Sequence, residues 1–125
     1  VIPAEKRNSG SLKALLMGFT YKENIDDTRN SMAADLYHRL EKAGVSVDVT
    51  DCHADAGKVM RDYGIRLTTV MPGSTYDLVI VAVAHSEYTA LDESYFEKIM
   101  NPDGVLADLK WIYKGKMHNL SYWSL

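Results

Sequence analysis

The sequence contains one cysteine, Cys52, and three prolines, and it has no long hydrophobic run. A lone thiol excludes an internal disulfide framework and fits a reducing compartment, so a cytoplasmic location is the expectation. The longest strongly apolar run, residues 78–84, falls far short of the roughly 20 residues that a membrane-spanning helix needs. No signal-peptide pattern opens the chain. A basic excess is also missing. Fourteen Lys and Arg against 17 Asp and Glu leave a net charge of −3, which argues against nucleic acid or an anionic membrane as partner. Gly18 belongs to no G-x-G-x-x-G, so the chain lacks the glycine-rich turn with which a nucleotide-binding α/β unit holds a dinucleotide. His38, His53, His85 and His118 show no metal-ligand spacing, and no metal is expected.

What remains is a chain of 125 residues, 46% of them hydrophobic, which is enough to bury one real core. Residues 1–11 (V-I-P-A-E-K-R-N-S-G-S) carry linker chemistry and read as the end of a connection from an upstream region. The start at Val1 fits a piece of something longer, with the domain at residues 12–125. Residues 12–17 form a short apolar run closed by Gly18, as expected of a strand buried on both faces. Met32, Ala33, Leu36, Tyr37, Leu40 and Ala43 then recur at helical spacing. Thr28, Asn30 and Ser31 offer N-cap oxygens and Gly44 a C-terminal cap.

Val45, Val47 and Val49 alternate with polar residues in a second strand that ends at Asp51-Cys52-His53. Residues 54–63 suit a short helix closed by Gly64, and residues 65–70 a small edge strand. Residues 78–83 are the clearest strand, rich in β-branched side chains and followed by Ala84-His85-Ser86. Residues 87–100 read as helix in one or two pieces, with a turn at Asn101-Pro102-Asp103-Gly104 and a last strand at 105–109. The aromatic-rich tail, residues 112–125, is expected to fold back onto the domain. The order describes a three-layer, Rossmann-like open α/β sheet, mainly parallel, with helices on both faces.

Such sheets collect ligands at the carboxyl ends of their strands, where backbone N–H groups and helix N-termini favour anions. Those ends supply Lys22 and Arg29, the Asp51-Cys52-His53 turn, His85 and Lys110. Lys22 and Arg29 are the candidates for phosphate, one a mobile point charge and the other a planar fork. The plainer reading pairs them with Glu23, Asp26 and Asp27 on a solvated loop. Cys52 and His53 invite a nucleophile-and-base reading, but adjacent residues on an extended segment point apart, which favours simple packing of a small thiol. Tyr122 and Trp123 read as packing residues.

Residues 18–31, G-F-T-Y-K-E-N-I-D-D-T-R-N-S, contain the pattern K-x-N-x-x-D-x-R. With the following helix, V-D-V-T-D, L-V-I-V-A-V-A-H-S-E-Y and the D-L-K before Trp111, they resemble the C-terminal, UDP-sugar-binding domain of the UDP-glucose/GDP-mannose dehydrogenase family. The resemblance implies an NAD-dependent oxidoreductase that converts the C6 hydroxymethyl of a nucleotide sugar to a carboxylate, for polysaccharide precursor synthesis. It also implies that the NAD-binding domain, the catalytic cysteine and the homodimer contacts lie outside this chain, so that the chain is inactive alone. By position, Lys22 resembles the family's substrate-contacting lysine, Tyr21 an aromatic lying against substrate, Lys110 a basic residue meeting the nucleotide, and Arg29 an arginine on the NAD side. Cys52 stands where relatives carry proline and is not the catalytic thiol. Trp111 stands where relatives often carry a small residue. The alternative is a free-standing flavodoxin-like nucleotide-binding or regulatory module, and an upstream G-x-G-x-x-G domain in the reading frame would decide against it.

Overall fold

Five strands line up in parallel, because each is joined to the next by a connection long enough to return the chain to the same edge. The structure is a computed structural model and describes residues 12–29, 31–71 and 73–124. The linker expected at residues 1–11 and the candidate cap Asn30 lie outside them. In chain order the elements are β1 (Lys13–Met17), α1 (Met32–Lys42), β2 (Ser46–Thr50), α2 (Ala56–Tyr63), β3 (Tyr76–Val81), α3 (Ser86–Thr89), α4 (Glu93–Glu97), β4 (Met100–Asp108) and β5 (Ser121–Ser124). The strand order is β2-β1-β3-β4-β5, and every pair is parallel.

Alternation in the central strands separates two cores. Leu15, Met17, Val79, Val81 and Leu106 pack with Tyr88, Phe96 and Ile99, so α3 and α4 cover that face. Leu16 and Ile80 turn the other way, onto Ala33, Ala34 and Phe19 and toward Val59, so α1 and α2 cover the second face. The expected three-layer α/β sheet is what forms, and its interior strands are buried on both sides as their unbroken apolar runs require.

The helix boundaries follow their caps. Ser31 Oγ accepts the Ala34 N–H at 3.2 Å and donates to the Phe19 carbonyl at 2.8 Å, fastening the start of α1 to the end of β1. Asp55 caps α2 through Lys58 N–H, and Gly64, with φ of 69°, ends it in the left-handed region. Gly18 has a stricter role. Its φ is 103°, and a Cβ there would stand 2.7 Å from Val83 Cβ, so the turn out of β1 presses against the segment leaving β3.

Three expectations need correction. Residues 65–70 make only an isolated bridge, Val49 to Leu67, instead of an edge strand. The helix expected over residues 87–100, in one or two pieces, is two, α3 and α4, and it stops short of its expected end, since Met100 already belongs to β4. The Asn101-Pro102-Asp103-Gly104 turn lies inside that strand as a bulge. Tyr76 pairs with Met100 and Leu78 with Val105, so the extra residues are looped out between two ladder contacts. The tail does fold back, but as a fifth strand, with Val105 opposite Ser121 and Asp108 opposite Ser124.

Candidate functional site

From β1 the chain leaves toward β2, and from β3 it leaves toward β4, so the strand order reverses between β1 and β3. A crevice opens at such a reversal because the two connections diverge to opposite sides. Here it is a pocket of about 260 Å³ lined by Tyr21 and Lys22 after β1, Met32 and Leu36 of α1, Val83 after β3 and Lys110 after β4. Tyr21 and Lys22, side by side after β1, share this pocket with Lys110 from a segment far away in sequence. Among the described residues neither lysine ammonium has an ion-pair partner. Two cations without an ion-pair partner, with Glu23 at the rim and apolar side chains of α1 beside them, suit an anionic group joined to a flat or apolar one.

Arg29 is not in that pocket. It lies in a neighbouring hollow of about 420 Å³ with Lys58, Arg61 and Asp62, and its side chain is 85% exposed. Its guanidinium makes a two-point contact with Asp27, Nε to Oδ1 at 3.0 Å and Nη2 to Oδ2 at 2.9 Å. That hydrogen bonding pulls the Asp27 carboxyl down to about 2. The pairing with Asp27, weighed from spacing, is therefore present for Arg29 and absent for Lys22.

The loop between Thr20 and Asn24 is held from beneath by a polar cluster that spacing did not reveal. Asp51, just after β2, accepts the backbone N–H groups of Phe19 at 2.6 Å, Thr20 at 3.2 Å, His53 at 2.7 Å and Ala54 at 2.8 Å. Burial alone would raise its pKa, but these bonds, the Phe19 N–H foremost, together with the one to His85 hold the carboxyl below the usual carboxylate range. His85 is fully buried. Its Nε2 lies 3.0 and 3.1 Å from the Asp51 oxygens and 3.2 Å from Thr20 Oγ1, while its Nδ1 accepts the Asn24 N–H at 2.9 Å. The polar residues ending two strong strands, D-C-H and A-H-S, were the available signal. Only their adjacency was hidden.

Cys52, His53 and His85 place one potential ligand atom each within 4.8 Å of one another, which their sequence positions did not suggest. The donor set does not fit a resident metal. A backbone N–H occupies His85 Nδ1 and Asp51 engages Nε2, His53 Nε2 meets Glu87 Oε1 at 2.9 Å, and burial, then the Glu87 charge, pushes the Cys52 thiol up toward its protonated form. The same protonation makes Cys52 a poor nucleophile.

Comparisons with known proteins give the family. The profile of the UDP-glucose/GDP-mannose dehydrogenase family, UDP binding domain, matches residues 15–115. A UDP-N-acetyl-D-glucosamine 6-dehydrogenase from Pseudomonas aeruginosa is 37% identical over 100 residues, covering 80% of this chain and 24% of the relative. One from Salmonella typhi is 37% identical over 98 residues, covering 78% and 23%. The native structure of the UDP-N-acetyl-mannosamine dehydrogenase from Staphylococcus aureus superposes with a TM-score of 0.72 at 28% identity, covering 90% of this chain and 26% of that one. The chain thus spans about a quarter of the length of the relatives it matches.

Proposed function

This chain belongs to the UDP-glucose/GDP-mannose dehydrogenase family, as its UDP binding domain, and from that premise we propose that its pocket holds the nucleoside-diphosphate end of a UDP-sugar. The observation that carries this is the convergence of Lys22 and Lys110, after β1 and β4, on one pocket beside the exposed ring of Tyr21. Two mobile ammonium groups neutralise a pyrophosphate, and the apolar wall of Met32, Leu36 and Val83 accepts the less polar part of the nucleoside. Oxidation of the sugar's C6 hydroxymethyl to a carboxylate is the activity in which such binding would serve, and three relatives and neighbours named as UDP-sugar dehydrogenases support it.

NAD would supply the hydride acceptor in that reaction. The described residues do not form a cradle for it: the left-handed Gly18 turn is filled by Val83, and Arg29, which the family resemblance would put on the NAD side, is paired with Asp27. What this chain's residues do is bind and orient. Lys22 and Lys110 fix the phosphates, which sets the distance from the anchored end to the reacting carbon.

An NMR titration of the labelled chain with UDP and with GDP tests the reading. Shifts should cluster on residues 20–24 and on Lys110, be larger for UDP, and vanish in Lys22→Ala/Lys110→Ala. Shifts confined to residues 118–124, or none at saturating ligand, would remove the assignment.

A further inference from the structure

Tyr21 and Lys22 sit between two anchor points, and one side chain serves both. The backbone N–H of Asn24 can only donate, so His85 Nδ1, 2.9 Å away, carries no hydrogen. In the neutral ring the hydrogen is then on Nε2, aimed at the Asp51 carboxylate and at Thr20 Oγ1. Thr20 in turn donates its hydroxyl hydrogen to the Lys22 carbonyl at 2.9 Å. Asp51 holds the Phe19 and Thr20 amides at the loop's start. Beyond Asn24, its side-chain amide exchanges two hydrogen bonds with Ser86, the residue after His85. The imidazole cannot drift, because the rings of His53 and Tyr88 lie 4.5 and 5.3 Å from it, centroid to centroid.

We propose that His85 is a positioning residue for the phosphate-binding loop, setting the place of Lys22 through bonds on both sides of it without touching the ligand. The proposal rests on the nucleotide-pocket reading above. The geometry asks for more than a buried ring. An acceptor is required on one edge and a donor on the other, at the spacing of an imidazole, and Asn24 has a φ of 61°, an uncommon conformation for a side-chain-bearing residue that the His85 and Ser86 bonds hold in place.

Two amides separate the edges. An asparagine oxygen reaches roughly where Nδ1 sits and keeps the acceptor for Asn24, whereas a glutamine nitrogen reaches where Nε2 sits and keeps only the donor. In the full chain, His85→Ala should weaken UDP binding by about tenfold, the equivalent of one lost hydrogen bond. His85→Asn should regain most of that loss and His85→Gln should not. Hydrogen exchange of the Asn24 amide, read without ligand, should be fast in the Ala and Gln variants and slow in the wild type and His85→Asn. Thr20→Val, which keeps the packing and removes the link to the Lys22 carbonyl, should weaken UDP several-fold with little change in melting temperature, and it serves if the His85 variants fail to fold. Affinity that tracks melting temperature alike in all variants, or an Asn24 amide indifferent to the substitution, would overturn the positioning role. A wild-type chain that binds no UDP would sink the pocket reading, while the amide exchange would still decide the role of His85.

Discussion

Lys22, Lys110 and Arg29 look alike in a sequence and differ in what surrounds them. The first two share one pocket and form no ion pair among the described residues, and the third is tied to Asp27 in another hollow. Each of Lys22→Ala and Lys110→Ala is therefore expected to weaken UDP by roughly tenfold at low salt and by less at high salt, since exposed charges are screened. Arg29→Ala should change UDP affinity by less than about twofold. Isothermal titration of the three variants at two salt concentrations checks this. Asp51 makes a prediction of a different kind. Its carboxyl is held below the usual range, so it adds stability above the unfolded-state value, near pH 4, which is lost as the pH falls through the lower folded-state value. Asp51→Asn should lower stability by about 1–3 kcal/mol near neutrality and flatten the acid limb of a melting-temperature profile. An unchanged acid limb would mean that another carboxyl governs it. At this scale the sequence marked the lysines, because the K-x-N-x-x-D-x-R pattern singles out Lys22. It did not mark the partnership of His85 and Asp51, because nothing local says that the ends of β2 and β3 flank the same loop.

Elements position these residues through their ends. Asp108, fully buried at the end of β4, accepts the Tyr113 N–H at 2.8 Å and the Tyr122 hydroxyl at 2.6 Å, so it ties the turn that carries Lys110 to the added edge strand β5. Asp108→Ala should leave these donors unsatisfied and cost on the order of 1–3 kcal/mol, with amide protection lost first in residues 109–124. Gly18→Ala is expected to be worse for the site than for the core. The new methyl would meet Val83 at 2.7 Å from a backbone angle that disfavours it, forcing apart the segments after β1 and β3 that wall the pocket. Circular dichroism together with a UDP titration should show a folded protein that binds poorly; wild-type binding would show that the crevice tolerates the displacement. The β1, α1, β2 and β3 periods were legible because each is a continuous pattern with a cap or glycine at its end. β5 was not, because Ser121, Tyr122, Trp123 and Ser124 form a strand only through the ladder that β4 offers them.

For the whole molecule the decisive fact is proportion: the chain covers about a quarter of the relatives it matches. With no glycine-rich dinucleotide turn in its sequence and its single thiol held protonated, it is expected to form no NADH from UDP-sugars and NAD. Absorbance at the NADH band is the measurement, and turnover abolished by Cys52→Ser would reverse the reading of that thiol. UDP alone should still bind, with an affinity in the millimolar range, because no further surface closes over the ligand to offset the entropy of association.

The sequence by itself determined the parallel α/β class, the start of α1 within residues 28–31 and the end of α2 at Gly64, and the family pattern around Lys22, since each is written in neighbouring residues and local chemistry acts over a few positions. Tertiary structure alone decided that Arg29 pairs with Asp27 while Lys22 does not, that the tail becomes β5, and that Asp51, His85 and Thr20 meet under the binding loop. Those outcomes depend on which strand lies beside which, and the 2-1-3-4-5 order is set by the packing of two cores on opposite faces of one sheet, a property no single segment carries.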